Sequence, residues 1–252
     1  MKRIVLIFLL VILSSCATTP VTGKRAFILV PFSQELNLGS QAYREFLSKE
    51  RRNVSTDRRI TRIVKRVAMR IAKQSDMPNL KWEFTVIRSK QMNAFCLPGG
   101  KIVVYTGILP IAQNEAGLAA ILAHEIGHAV ARHGAQRMTQ HLVLNAGLSA
   151  ASLSLKDKKH KNLILASLGV GANVGVILRY SRKHEYEADE IGQIYMARAG
   201  YDPREAVNLW KRFSKHGRSD PEFLSTHPHS PNRANRLNQI LSKAMQEYKN
   251  DN

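Results

Sequence analysis

Two histidines four residues apart enclose a glutamate in the string His124-Glu125-Ile126-Gly127-His128. On a helix, positions i and i+4 lie on one face a turn apart, so both imidazoles can reach one cation at bond lengths of about 2.0–2.1 Å. Glu125 is rotated about a quarter turn from His124 and lies beside that cation rather than on it, where a base taking a proton from water belongs. The flanking Ala119-Ala120-Ile121-Leu122-Ala123 is apolar. Two imidazoles and a carboxylate facing a core cost several kcal/mol unless they are paired or hold a metal, which argues against a solvated helix with coincidental histidines.

A catalytic zinc usually takes three protein ligands and keeps one position open. The third can be His, Asp or Glu. His133, five residues past His128, is about 500° further round a continuing helix and is expected to point elsewhere. The better source is downstream, in Ser181-Arg182-Lys183-His184-Glu185-Tyr186-Glu187-Ala188-Asp189. There Glu185 and Asp189 share a face at i, i+4, so one carboxylate can ligate while the other accepts the free ring N–H of a bound histidine. Glu187 is turned about 200° away and is expected not to ligate.

His124 to His128 taken with Glu185 to Asp189 resembles a family of zinc metallopeptidases. It pairs H-E-x-x-H with a later E-x-x-x-D and includes the membrane protease HtpX, the CAAX prenyl protease and the soluble periplasmic BepA- and LoiP-like lipoprotein peptidases. The resemblance covers residues 35–245 and implies one Zn2+ per chain on His124, His128 and Glu185. It implies that Glu125 is the catalytic base and that Asp189 is the acid behind the metal, sometimes described as a proton donor. Asn93, Ala94 and Phe95, followed by Leu97-Pro98-Gly99-Gly100, are similar to that family's edge strand, which can pair with an extended substrate backbone. Thr226-His227-Pro228 with Arg233 is similar to a family loop near the metal. His227 is thereby a candidate gate over the open zinc position, or an oxyanion partner alongside Arg182. HtpX and the prenyl protease carry several membrane helices, and this chain shows none of full length, so the soluble branch fits better.

The elements needed to position these groups are legible. Residues 114–141 read as the helix carrying His124 and His128, with Asn114 as its cap and Glu115 in the positive field of the first turn. Residues 181–199 form the helix of Glu185 and Asp189, ended by Gly200. Helices are also expected at 35–50 and 57–74, after Asp202-Pro203, and at 232–248. Alternation at 81–88 gives a strand, and 93–97 with 101–106 flank Pro98-Gly99-Gly100 as a hairpin. The fold class is α+β and mainly helical, a gluzincin core with a small antiparallel sheet beside the active helix. The apolar stretches 142–155 and 163–178 are expected to be buried or gating helices.

Residues 1–16 read as an export signal. Lys2 and Arg3 precede an apolar run at 4–13, too short to span a bilayer, and Leu13-Ser14-Ser15-Cys16 resembles a bacterial lipobox. Cys16 is then the lipidated residue, 17–34 a tether, and 35–252 the peptidase domain. Ala17 and Thr18, with no Asp after the cysteine, favour the outer membrane. Only Cys96 would remain, which excludes an internal disulfide or a thiolate metal site. The net charge of +19 would suit nucleic acid, but export points instead to anionic membrane surfaces or acidic partners. The expected function is a cell-envelope zinc endopeptidase acting on unfolded or misassembled proteins. The alternative is a chaperone or assembly factor whose peptidase activity is latent or gated.

Overall fold

The computed structural model describes residues 16–140, 142–143, 181–215, 227 and 232–250. Residues 1–15, read above as an export signal, and nearly all of the two apolar stretches at 142–155 and 163–178 lie outside the described residues. None of the described helices is long and apolar enough to cross a membrane.

The chain opens with a hairpin of β1 (Cys16–Thr18) and β2 (Arg25–Phe27). Helices α1 (Phe32–Lys49) and α2 (Arg58–Lys73) follow. The α2 start is fixed by Asp57, whose Oδ1 accepts from the amides of Arg59 and Ile60. Strands β3 (Glu83–Ile87), β4 (Ala94–Leu97) and β5 (Lys101–Tyr105) form a sheet in the order β3-β5-β4. A short turn and α3 (Leu109–Ala112) lead to α4 (Glu115–Val130). Then come α5 (Arg182–Arg198), α6 (Arg204–Lys215) and α7 (Arg233–Asn250).

The hairpin β4–β5 is antiparallel around Gly99 and Gly100, which both take positive φ. The sheet as a whole is mixed, because β3 joins β5 in parallel. Residues 88–93 carry the chain over the end of β5. There Thr106 Oγ1 accepts from the Ser89 amide and donates to the Ser89 carbonyl, pinning the crossover. Alternation identifies a strand but not its neighbour, so the parallel partner was not readable from the sequence.

Two further departures concern the ends of elements. The helix expected over 114–141 stops at Val130, since Arg132 takes φ +53° and breaks the ladder before helical geometry resumes at 133–140. The stretch read as a tether is folded. Ala26, Ile28 and Val30 are buried, with Ala26 and Ile28 packed on Ala135.

In the main core cluster, α2, the sheet, α5 and α6 enclose α4. Every residue of α4 from Gly117 to Val130 is buried. A helix apolar or occupied on all sides belongs at the centre, and the polar groups it carries there require partners.

Candidate metal centre

Helices α4 and α5 run past each other at unusually short range. A Cβ built on Gly127 would stand 2.8 Å from the Ala188 carbonyl oxygen, and one on Gly192 would stand 2.8 Å from the Ala123 carbonyl carbon. The glycine between Glu125 and His128 therefore seats the other helix's Glu185–Asp189 face against the histidine face. Ser181 caps α5, its hydroxyl accepting from the His184 amide, which sets Glu185 in the first turn.

Four side chains converge there, His124, His128, Glu185 and His227, all buried, each offering one ligand atom within 4.8 Å of the others. His124 Nε2 lies 3.0 Å from His128 Nε2 and 3.4 Å from Glu185 Oε2. His128 Nε2 lies 3.3 Å from Glu185 Oε1. His227 Nδ1 is 3.2 Å from His124 Nε2 and 3.2 Å from both Glu185 oxygens. A tetrahedral ion with bonds of 2.0–2.1 Å has ligand-to-ligand edges of about 3.3–3.4 Å, close to this set. Imidazole and carboxylate are ligands that zinc takes, and no thiolate is involved.

Glu125 supplies a second test of fit. It is fully buried and neither oxygen has a hydrogen-bond partner, while His227 Nε2 stands 3.3 Å from Oε1. A buried carboxylate left in that condition is costly in a protein that does not use it. Burial raises its pKa, against the pull of His227 and His124.

Behind the cluster, Asp189 Oδ1 is 2.9 Å from His124 Nδ1. Arg233, the first residue of α7 and fully buried, grips Asp189 through Nε and Nη2 at 2.7 and 2.6 Å and donates Nη1 to Glu185 at 2.6 Å. Its guanidinium lies 3.4 Å over the Trp210 ring of α6. Burial opposes the charge of Asp189, yet Arg233 and His124 hold its pKa below the usual range. Glu185 is held well below it, against burial, by His227 and Arg233. The two histidines diverge. Burial drives the His128 pKa well down, whereas for His124 the carboxylates of Asp189 and Glu185 overcome burial and lift it to about 9.

The structure thus brings His124, His128, Glu125, Glu185, Asp189 and His227 to one place. Arg182 is exposed at the start of α5. Asn93, Ala94 and Phe95 are buried, the last two on β4 and Asn93 just before it; β4 is one of the two outer strands of the sheet and packs on α4. The Asn93 carbonyl accepts from Tyr105 within the sheet, while the Ala94 carbonyl faces the site and lies 3.3 Å from His227 Nε2. Glu187 does not ligate; it meets His133 and the N-terminal hairpin. His133, expected to point away, lies 2.9 Å from His128, because the break at Arg132 turns it back. No local pattern announces that contact, nor the grip of Arg233 on groups more than forty residues earlier.

The sequence model of peptidase family M48 matches residues 55–241. The mitochondrial metalloendopeptidase OMA1 of Schizosaccharomyces pombe is 39% identical over 231 residues, covering 89% of this chain and 66% of its own. The Saccharomyces cerevisiae protein of that name is 30% identical over 249 residues, with 91% and 70% covered. The β-barrel assembly-enhancing protease of Escherichia coli is 24% identical over 249 residues, with 93% and 50% covered. The chain therefore spans about half to 70% of the length of these relatives.

Proposed function

This chain belongs to peptidase family M48, and we propose that it is a zinc-dependent endopeptidase, with His124, His128 and Glu185 holding one Zn2+ and Glu125 handling the proton. The observation that carries this reading is the convergence of those ligand atoms around a buried carboxylate with no hydrogen-bond partner. When bound, zinc supplies the Lewis acidity that brings water towards ionisation near neutral pH and polarises a peptide carbonyl. Glu125 accepts the water proton and returns it to the leaving amine. Its raised pKa suits a group that must both take and give a proton. Asp189, clamped by Arg233, holds His124 by Nδ1 so that Nε2 faces the ligand atoms of His128 and Glu185. The outer strand β4 offers an extended substrate a backbone to pair with.

His227 acts as a gate in this scheme. Its Nδ1 completes the ligand cluster and its Nε2 lies beside both Glu125 and the Ala94 carbonyl, so it must withdraw before a peptide enters. That placement also favours the second reading, an assembly factor or chaperone whose peptidase activity is latent until the loop moves.

The cellular reading rests on the N-terminal sequence. Lys2-Arg3, the apolar run after them and Leu13-Ser14-Ser15-Cys16 support export and lipidation at Cys16, with an outer-membrane destination. Phe27, Leu29 and Phe32, exposed shortly after that cysteine, and the net charge of +19 suit a surface held against anionic lipid. Unfolded or misassembled envelope proteins are the proposed substrates.

The purified protein is expected to cleave an unfolded protein such as casein, to lose that activity to a chelator, and to regain it with zinc. Glu125→Gln is expected to lower the rate by at least about a hundredfold while zinc stays stoichiometrically bound. Loss of zinc from that variant, or its full activity, would remove Glu125 from the base role.

A further inference from the structure

His128 has a second nitrogen, and it too has a buried partner. Its Nε2 belongs to the ligand cluster, and its Nδ1 lies 2.9 Å from His133 Nδ1. A ring that gives Nε2 to a cation carries its proton on Nδ1 and donates there. His133 must then accept at Nδ1, which places its own proton on Nε2. That nitrogen faces Glu187 Oε2 at 3.4 Å. The other Glu187 oxygen lies 2.6 Å from the Thr19 hydroxyl and 2.7 Å from that of Thr22, both in the turn between β1 and β2. Each donor in the chain from His128 to Glu187 meets an acceptor, and the direction is set by a carboxylate at the far end. His133 is fully buried, Glu187 and Thr19 nearly so, and the His184 ring stacks on His133 at 4.4 Å and 22°, holding its plane.

We infer that His133, Glu187, Thr19 and Thr22 form a positioning relay that fixes the tautomer and orientation of His128 for the metal, so that the hairpin following Cys16 is part of the support of the metal centre. This rests on reading His124, His128 and Glu185 as the metal site. The two histidines are then supported differently. His124 leans directly on a carboxylate clamped by arginine, whereas His128 reaches its carboxylate through another imidazole, and hydroxyls from a distant segment secure that carboxylate.

The test uses the full chain, with zinc affinity from chelator competition and the visible spectrum of the Co2+-substituted protein as readouts independent of activity. His133→Phe and Glu187→Gln are expected to weaken zinc binding by about 10–100-fold and to alter the cobalt bands. Glu187→Asp, which keeps the charge, is expected to recover part of the loss. The double variant Thr19→Val with Thr22→Val keeps shape, removes only hydroxyls, and is expected to weaken zinc by a smaller factor in the same direction. It decides the matter should His133→Phe fail to fold. Wild-type zinc affinity and cobalt spectrum in the Glu187→Gln and threonine variants, whatever happens to their melting temperatures, would overturn the relay. The underlying metal reading fails differently: Glu185→Ala would bind zinc as tightly as wild type, and that result removes both.

Discussion

His124 and His128 are chemically the same residue one turn apart, yet their surroundings push them to opposite protonation states in the metal-free protein. His124 holds a proton up to about pH 9 through Asp189 and Glu185, while buried His128 gives its proton up well below the usual value. Zinc requires both rings neutral at the ligating nitrogen, so one proton from this pair, and not two, must leave on binding. Zinc affinity is therefore expected to rise about tenfold per pH unit between about pH 6.5 and 9 and then to level off. Competition titrations at several pH values check this; a flat profile below about pH 8 would contradict it. The i, i+4 spacing made it readable that His124 shares a helix face with His128 and Glu185 with Asp189, because that geometry is local; that the two faces serve one ion came from the family resemblance. His133 stays outside the ligand cluster as expected, but its contact with His128 was not readable, because it depends on one positive φ at Arg132, which nothing in the neighbouring residues requires.

At the scale of elements, the distance between α4 and α5 decides whether an acidic side chain reaches the imidazole pair. Gly127 and Gly192 set that distance by having no side chains. Gly192→Ala would put a Cβ 2.8 Å from the Ala123 carbonyl carbon and 2.9 Å from the His124 amide nitrogen, both backbone atoms that cannot swing aside. The helices must part by several tenths of an ångström, at a cost of about 1–3 kcal/mol. Urea unfolding of the metal-free variant is expected to show that loss, accompanied by weaker zinc binding; unchanged values of both would mean the contact is soft. Helix positions were legible because their caps are spelled out by Asp57, Asn114, Ser181 and Asp202. The pairing of β3 with β5 was not, since a run of alternating residues carries no address for its neighbour.

Across the whole molecule, the N-terminal hairpin and α5 are joined through Glu187, a contact between residues more than 160 positions apart. Burial works against its charge, but His133, Thr19 and Thr22 hold the carboxyl down to about 2 against an ordinary 4.5. Its contribution is present in full above about pH 4.5 and is lost as the pH falls towards 2, on the order of a few kcal/mol. The metal-free protein is expected to lose stability across that interval, and Glu187→Gln to lose visibly less of it, as judged by urea midpoints at successive pH values. Equal slopes for the two proteins would refute the assignment. The α+β class and the mainly helical balance were readable from periodicity. The folding of residues 17–34 onto the domain was not, because Pro20 and Gly23 mark a turn equally well in a loose leader and in a docked hairpin.

The Ala94 carbonyl has one further implication. It faces out of the sheet, on the strand where an arriving polypeptide would anneal, and the same imidazole that leans on it also closes the ligand cluster. On the proposed reading, a guest backbone that takes over this acceptor removes one of the groups that hold the imidazole, so seating the guest and unlatching the door would become a single event. On the same reading a copy without a guest would stay shut, and what it accepts would depend on how well a stretch of chain lies along β4.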